Sequence, residues 1–152
     1  MLVFWITNLI NLKKIFISSD HAGFKLKETI KDYLGKKKVK FEDLGPKDGS
    51  SVDYPDYAHK VAKRVKHNKS HVGILVCGSG TGMNIAANKH KNVRAAQCFN
   101  LKSTKLSRLH NDANIITLGS RLITKKNALK FISVFLNTKF DGGRHLRRVK
   151  KI

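Results

Sequence analysis

From Lys14 onward, short apolar runs alternate with stretches in which apolar residues recur at helical spacing. Ile15-Phe16-Ile17 reads as a buried strand ending in the polar cluster Ser18-Ser19-Asp20-His21. Leu26, Ile30, Tyr33 and Leu34 follow on one helical face, and Gly35 offers a stop. Val39 to Leu44 alternates as a strand before a Gly-Pro-Lys-Asp-Gly loop, and Pro55 opens a helix carrying Ala58, Val61, Ala62 and Val65. Val72–Val76, Val93–Cys98 and Ile115–Leu118 are the third to fifth strands. Ile85 and Ala86, then Leu101 to Leu109, then Ala128, Phe131, Ile132 and Phe135 mark the helices between and after them. Repeated β-α units of this kind predict an α/β fold: a three-layer, doubly wound, Rossmann-like sheet of five parallel strands with right-handed crossovers. Residues 14–152 are read as a single domain, and the apolar residues 1–13 as an N-terminal extension outside it.

Composition narrows the function classes. A chain of 152 residues with 41% hydrophobic content can bury a proper core. The net charge of +21 is extreme, yet the surplus is lysine spread over many segments, such as Lys36-Lys37-Lys38, Lys60, Lys125-Lys126 and Lys150-Lys151. No zinc finger, basic zipper or aromatic RNA-binding signature accompanies it, so no specific nucleic-acid partner is expected. Cys77 and Cys98 are the sole cysteines, which gives no disulfide framework and fits a reducing cytoplasm. The apolar start lacks a basic leader and a small-residue cleavage site, and is too short to span a bilayer, so no membrane role is expected.

The chemistry concentrates in Ile74-Leu75-Val76-Cys77-Gly78-Ser79-Gly80-Thr81-Gly82-Met83-Asn84. A strand delivers a thiol to three alternating glycines, which let backbone N–H groups approach a ligand closely. A thiolate there is a base or nucleophile beside an oxyanion site; the plainer alternative is a small buried hydrophobe. Two nucleotide templates fail. Met83-Asn84 stand where a P-loop needs Lys-Ser/Thr, and Met83 stands where a dinucleotide fingerprint needs its third glycine. A smaller phosphate- or hydroxyl-bearing ligand remains. In a doubly wound sheet, Asp20-His21 and Cys77–Gly82 both fall beyond the carboxyl ends of strands, where such folds bind ligands.

Six segments in order complete a constellation: Ser19-Asp20-His21-Ala22-Gly23-Phe24, Asp53-Tyr54-Pro55, the cysteine–glycine loop, Ser107–Asn114, Gly119-Ser120-Arg121, and Gly142-Gly143-Arg144-His145-Leu146-Arg147-Arg148-Val149. Together they resemble the type B ribose-5-phosphate isomerase family, which includes the subunits of galactose-6-phosphate isomerase. The resemblance implies an aldose–ketose isomerisation of a phosphosugar through a cis-enediolate, without metal or cofactor, in the pentose phosphate pathway. It makes Cys77 the base. A second branch of the family uses a glutamate just after the last glycine, a position held here by Met83, so the chain falls in the cysteine branch.

By the same resemblance, Ser79 and the amides of Gly78, Gly80 and Gly82 face the enediolate, and His110 opens the sugar ring. Asp20 binds sugar hydroxyls, with Tyr54 nearby either as a contact or as packing. Asn111 meets substrate oxygens, and His21, Arg121, Arg144 and Arg148 grip the phosphate. Arg147 is left as a solvated charge and Cys98 as core. The family's active sites are shared across a dimer, which predicts a homodimer or dimer of dimers with His110, Asn111 and Arg121 coming from the subunit opposite Cys77. Ribose 5-phosphate is the leading substrate. A six-carbon phosphosugar such as galactose or allose 6-phosphate is the alternative, and a non-catalytic anion- or RNA-binding module is a third reading.

Overall fold

The computed structural model describes residues 13–152, so the apolar segment 1–12 lies outside the described residues. Strands β1 (Lys14–Ser19), β2 (Phe41–Asp43), β3 (His71–Cys77), β4 (Ala95–Gln97) and β5 (Ile115–Gly119) alternate with helices α1 (Phe24–Lys36), α2 (Tyr54–Val65), α3 (Thr81–Ala87), α4 (Leu101–Asn111) and α5 (Lys125–Asn137), and a short helix α6 (Gly143–Val149) follows. The strands form one parallel sheet in the order β2-β1-β3-β5-β4. This is the α/β architecture that the periodicity predicts.

Strand alternation sorts the core into two layers. Ile15, Ile17, Ile74, Val76, Ile116 and Leu118 face Leu26, Ile30 and Leu34 of α1 and Ala128, Phe131, Ile132 and Phe135 of α5. On the other side Phe16, Leu75, Cys77 and Ile115 meet Ala58, Val61, Ala62 and Val65 of α2 and Met83, Ala86 and Ala87 of α3. Each large side chain fully buried this way contributes about 1.5–3 kcal/mol.

The departures from expectation have local causes. β2 and β4 are each shorter than the apolar runs Val39–Leu44 and Val93–Cys98, because both are edge strands with a ladder on one side only. Gly35 does not stop α1; the helix runs to Lys36 and ends where Lys38 turns left-handed at φ 56°, with the Val39 N–H donating to the Leu34 carbonyl at 2.9 Å. Lys13, grouped by pattern with the apolar extension, is tied to the fold: Nζ donates to the Leu136 carbonyl at 2.6 Å. Burial is the first cause lowering its pKa to about 8, reinforced by the charge of Arg108 and opposed by Asp112.

One polar group is built into the interior. Lys27, fully buried on α1, donates to both carboxylate oxygens of Asp43 at 3.0 Å and to the Pro46 carbonyl at 2.7 Å. Burial alone would raise the Asp43 pKa, but hydrogen bonds from Lys31, the Gly45 N–H and Lys27 outweigh it and hold the carboxyl below its usual range. The loop after β2 is thereby pinned beside β1, where the Gly45 carbonyl accepts from the Ser19 N–H and the Ser18 hydroxyl.

Candidate active site

The carboxyl edge of the sheet gathers the first group of candidate residues. Cys77, the last residue of β3, pairs in register with Gly119, the last residue of β5. Its side chain is 4% exposed, and its Sγ accepts the Gly80 N–H at 3.1 Å. A backbone N–H bonds an ionised sulfur more strongly than a neutral one. The turn depends on Gly80, which is left-handed at φ +79°; an added Cβ would lie 3.0 Å from the Gly119 nitrogen. The Gly80 amide was expected to face an enediolate. It is directed at the thiol instead, because the left-handed turn folds the loop back over the strand end. The Thr81 N–H is likewise taken, by the Ser79 hydroxyl at 3.2 Å, whereas the Ser79 amide donates to no group among the described residues.

Neighbouring loops close around this thiol. Asp20 is buried beyond β1; its N–H donates to the Val76 carbonyl, and one carboxylate oxygen accepts the Gly23 N–H at 2.9 Å. Half of the carboxylate expected to bind sugar hydroxyls therefore holds the start of α1. His21 is exposed with Nδ1 3.3 Å from both polar backbone atoms of Val52, which leaves the opposite ring edge facing outward. Tyr54 opens α2 and lays its ring over Gly82, so close that an added Cβ there would come within 2.7 Å of it. Tyr54 is thus a wall of the glycine loop as well as a packing group.

Arg121 requires a correction. Its N–H donates to the Gly78 carbonyl at 3.0 Å, and its guanidinium stands over Gly78 of the same chain, 2.9 Å from where a Cβ would sit. It therefore belongs with Cys77 rather than opposite it. The reason is the pairing of β3 with β5: a residue two positions past Gly119 cannot leave the edge where Cys77 ends.

His110, Asn111, Arg144 and Arg148 lie elsewhere. α4 starts at the carboxyl edge, after β4, and runs back so that His110 and Asn111 stand just before β5 begins. β3 is seven residues long, which at ~3.3 Å per residue puts them about 20 Å from Cys77. α5 makes the same return journey, and α6 packs beside the end of α4: the Asp141 N–H donates to the Leu109 carbonyl at 3.0 Å, and the His145 ring stacks on His110 with centroids 4.2 Å apart. His145 is held below its ordinary pKa, by desolvation first and then by the charges of His110, Arg144 and Arg148.

Two further groups hold the site's loops in place. Gln97 at the end of β4 donates Nε2 to the Ser79 carbonyl at 2.6 Å and so braces the glycine loop; a polar residue at a strand's carboxyl end was the available signal. Arg108, nearly buried, bonds the Asp112 carboxylate at 2.9 Å and the carbonyls of Thr138 and Ala113, while Arg94 bonds Asp112 from the other side. This network holds the left-handed turn at Asp112 that ends α4 beside His110. Burial is the first cause lowering the Arg108 pKa, and Asp112 opposes it.

Comparison with known proteins gives a family. The Ribose/Galactose Isomerase family matches residues 15–152. Ribose-5-phosphate isomerase B of Escherichia coli is 40% identical over 141 residues, covering 93% of this chain and 95% of that protein. A crystal structure of a ribose 5-phosphate isomerase from Thermotoga maritima superposes with a TM-score of 0.88 at 50% identity, covering 91% of this chain and 96% of the other. Ribose-5-phosphate isomerase B from Mycoplasma genitalium, solved with bound ribulose-5-phosphate, has a TM-score of 0.88 at 44% identity and covers 91% and 92% of the two chains. With the match running from the first strand to the last residue, this chain belongs to the ribose/galactose isomerase family.

Proposed function

We propose that this protein is an aldose–ketose isomerase that interconverts ribose 5-phosphate and ribulose 5-phosphate, and that its working unit is a dimer with shared active sites. The observation that carries the chemistry is Cys77, a thiol at a strand end whose sulfur accepts the Gly80 N–H. As thiolate, Cys77 removes the proton from the second carbon of the open-chain aldose, and the electron pair moves onto the carbonyl oxygen to give a cis-enediolate. A proton then passes from the hydroxyl on the second carbon to the oxyanion on the first, the second-carbon oxygen re-forms a carbonyl, and the thiol returns its proton to the first carbon to give the ketose. The Ser79 amide, which donates to no group among the described residues, and the Ser79 hydroxyl are donors for the growing negative charge, and a preorganised donor of this kind is worth about 2.7–4 kcal/mol.

Ring opening comes first and falls to His110, which transfers a proton between the ring oxygen and the anomeric hydroxyl. His110 stands at the opposite sheet edge from Cys77, so a second copy supplies it, together with Asn111, Arg144 and Arg148. Asp20 and Tyr54 border the sugar, and His21 and Arg121 meet the phosphate from the Cys77 side. Guanidinium groups from both chains then clamp one phosphate, bidentate contacts that lysines do not make. Two free buried cysteines suit a reducing compartment, and among the described residues no helix is long and apolar enough to cross a membrane.

The deciding experiment is an isomerisation and solvent proton-exchange assay of the purified chain on five- and six-carbon phosphosugars. Turnover of ribose 5-phosphate well above that of galactose or allose 6-phosphate is expected. The reverse order would replace the substrate, and turnover of none would remove the enzymatic reading.

A further inference from the structure

Among the described residues, one group of three metal-ligating side chains converges, and two of its members have no part in the reaction above. His110 and His145 lie with their rings stacked and inclined by only 12°. Asp141 joins them, and one donor atom from each of the three lies within 4.8 Å of the others. Backbone structure builds the arrangement. The Asp141 N–H is tied to Leu109, the residue before His110. Gly142 and Gly143 then turn the chain at φ +65° and +50°, and the His145 N–H closes the turn on the Gly142 carbonyl at 3.0 Å.

We propose that His110, Asp141 and His145 form an inhibitory site for a divalent transition-metal ion, with Zn²⁺ the best suited, whose binding withdraws His110 from ring opening. Two imidazoles and one carboxylate make a three-ligand set that Zn²⁺ favours, with a fourth position left open. Bonds of about 2.1 Å in a tetrahedron place donors roughly 3.4 Å apart, so the three side chains close on an ion by rotation, without moving α4 or α6. Asp141 offsets part of the added charge, and the adjacent Arg144 and Arg148 attract an anion to the open position. A ring nitrogen of His110 bound to metal cannot carry a proton, so metal and substrate turnover exclude each other.

Metal binding itself stands independently of the proposed function; the inhibitory consequence rests on the role assigned to His110. The test uses the full-length protein in metal-free buffer. Equilibrium dialysis should give one Zn²⁺ per chain, and Co²⁺ should give the visible bands of a tetrahedral nitrogen–oxygen site without a thiolate charge-transfer band. Loss of an outer partner alone weakens metal sites by about 10–100-fold, so Asp141→Asn and His145→Gln should each weaken binding by at least about tenfold. Cys77→Ser should bind normally, as should His90→Gln, which breaks the other close histidine pair, His59 and His90 at 2.8 Å. Zn²⁺ should inhibit the wild type reversibly on chelation, while Asp141→Asn keeps its metal-free activity and resists inhibition. A thiolate band, binding lost with Cys77→Ser or His90→Gln, or no saturable binding would overturn the site. Binding without inhibition would overturn its inhibitory role. Stoichiometric Zn²⁺ on a chain that isomerises no phosphosugar would sink the proposed function and leave the site standing.

Discussion

Cys77 is buried, small and packed with Leu75 and Met83, so its surroundings alone would suit an inert core residue. The Gly80 N–H distinguishes it from Cys98, whose pKa is raised, with burial the first cause. Cys77→Ser should therefore cut kcat by about 10²–10⁴-fold, the usual worth of a general base, with KM and fold little changed. A variant retaining a tenth of wild-type turnover would exclude the cysteine base. Met83 offers no substitute base, because its thioether takes up no proton near neutral pH and its side chain is fully buried in the core. Charge can be dissected in the same way. Arg144→Ala or Arg148→Ala should remove the proposed charge-assisted phosphate contact, worth roughly 1.5–3 kcal/mol, and raise KM about 10–100-fold. Lys37→Ala and Lys126→Ala delete the same formal charge at exposed sites, where salt screens it, and should leave KM nearly unchanged. Equal effects from all four would mean that the diffuse +21 field, rather than a dedicated clamp, attracts substrate.

At the scale of elements, the strand–turn–helix unit β3–α3 is the device that presents the thiol, and its weak point is Gly80. Alanine there must adopt a left-handed conformation costing ~1–2 kcal/mol with its Cβ 3.0 Å from the Gly119 backbone. Gly80→Ala should lower the Tm by about 2–8 °C and kcat by at least about tenfold, since the amide aimed at Sγ moves. Gly35→Ala is the matching control. Gly35 lies inside α1 with nothing within 4 Å of an added Cβ, so alanine should stabilise by about 0.5–1 kcal/mol and leave turnover unchanged. Calorimetry beside steady-state kinetics separates the two; a Gly80→Ala enzyme of normal activity would show that the turn is not needed for chemistry. Much of this unit is legible in the sequence, because a strand's apolar run, a thiol and three spaced glycines are adjacent in the chain. Gln97, which braces it from β4 by a bond to the Ser79 carbonyl, is not, and the bonds of Ser120 in the Gly119-Ser120-Arg121 motif to the Ala22 and Cys77 carbonyls are not either, since nothing local marks a contact between segments far apart in sequence.

For the whole molecule, the decisive fact is that Cys77 and His110 stand at opposite edges of one sheet. A chain lacking Cys77 and a chain lacking His110 should each be inactive alone and complement when exchanged. In the proposed dimer, random pairing would make half of the molecules hybrid, each with one intact site of two, so about a quarter of wild-type activity should return. No recovery after verified exchange would mean that each site is built within one chain. What the sequence determined by itself is the part that rests on local spacing. Helical and strand periodicity specify the alternating elements, edge polarity points to Asp20, His21 and the glycine loop, and six motifs in order identify the family. What only the tertiary structure decided rests on pairing between distant segments. Insertion of β5 between β3 and β4 puts Arg121 beside its own Cys77, and the return run of α4 and α5 carries His110, Asn111, Arg144 and Arg148 to the far edge. The same packing buries Lys27 against Asp43 and stacks His145 on His110. Periodicity reports which way a side chain faces within its own element, whereas the meeting of two elements is set by burial of their combined apolar surface, which no window along the chain contains.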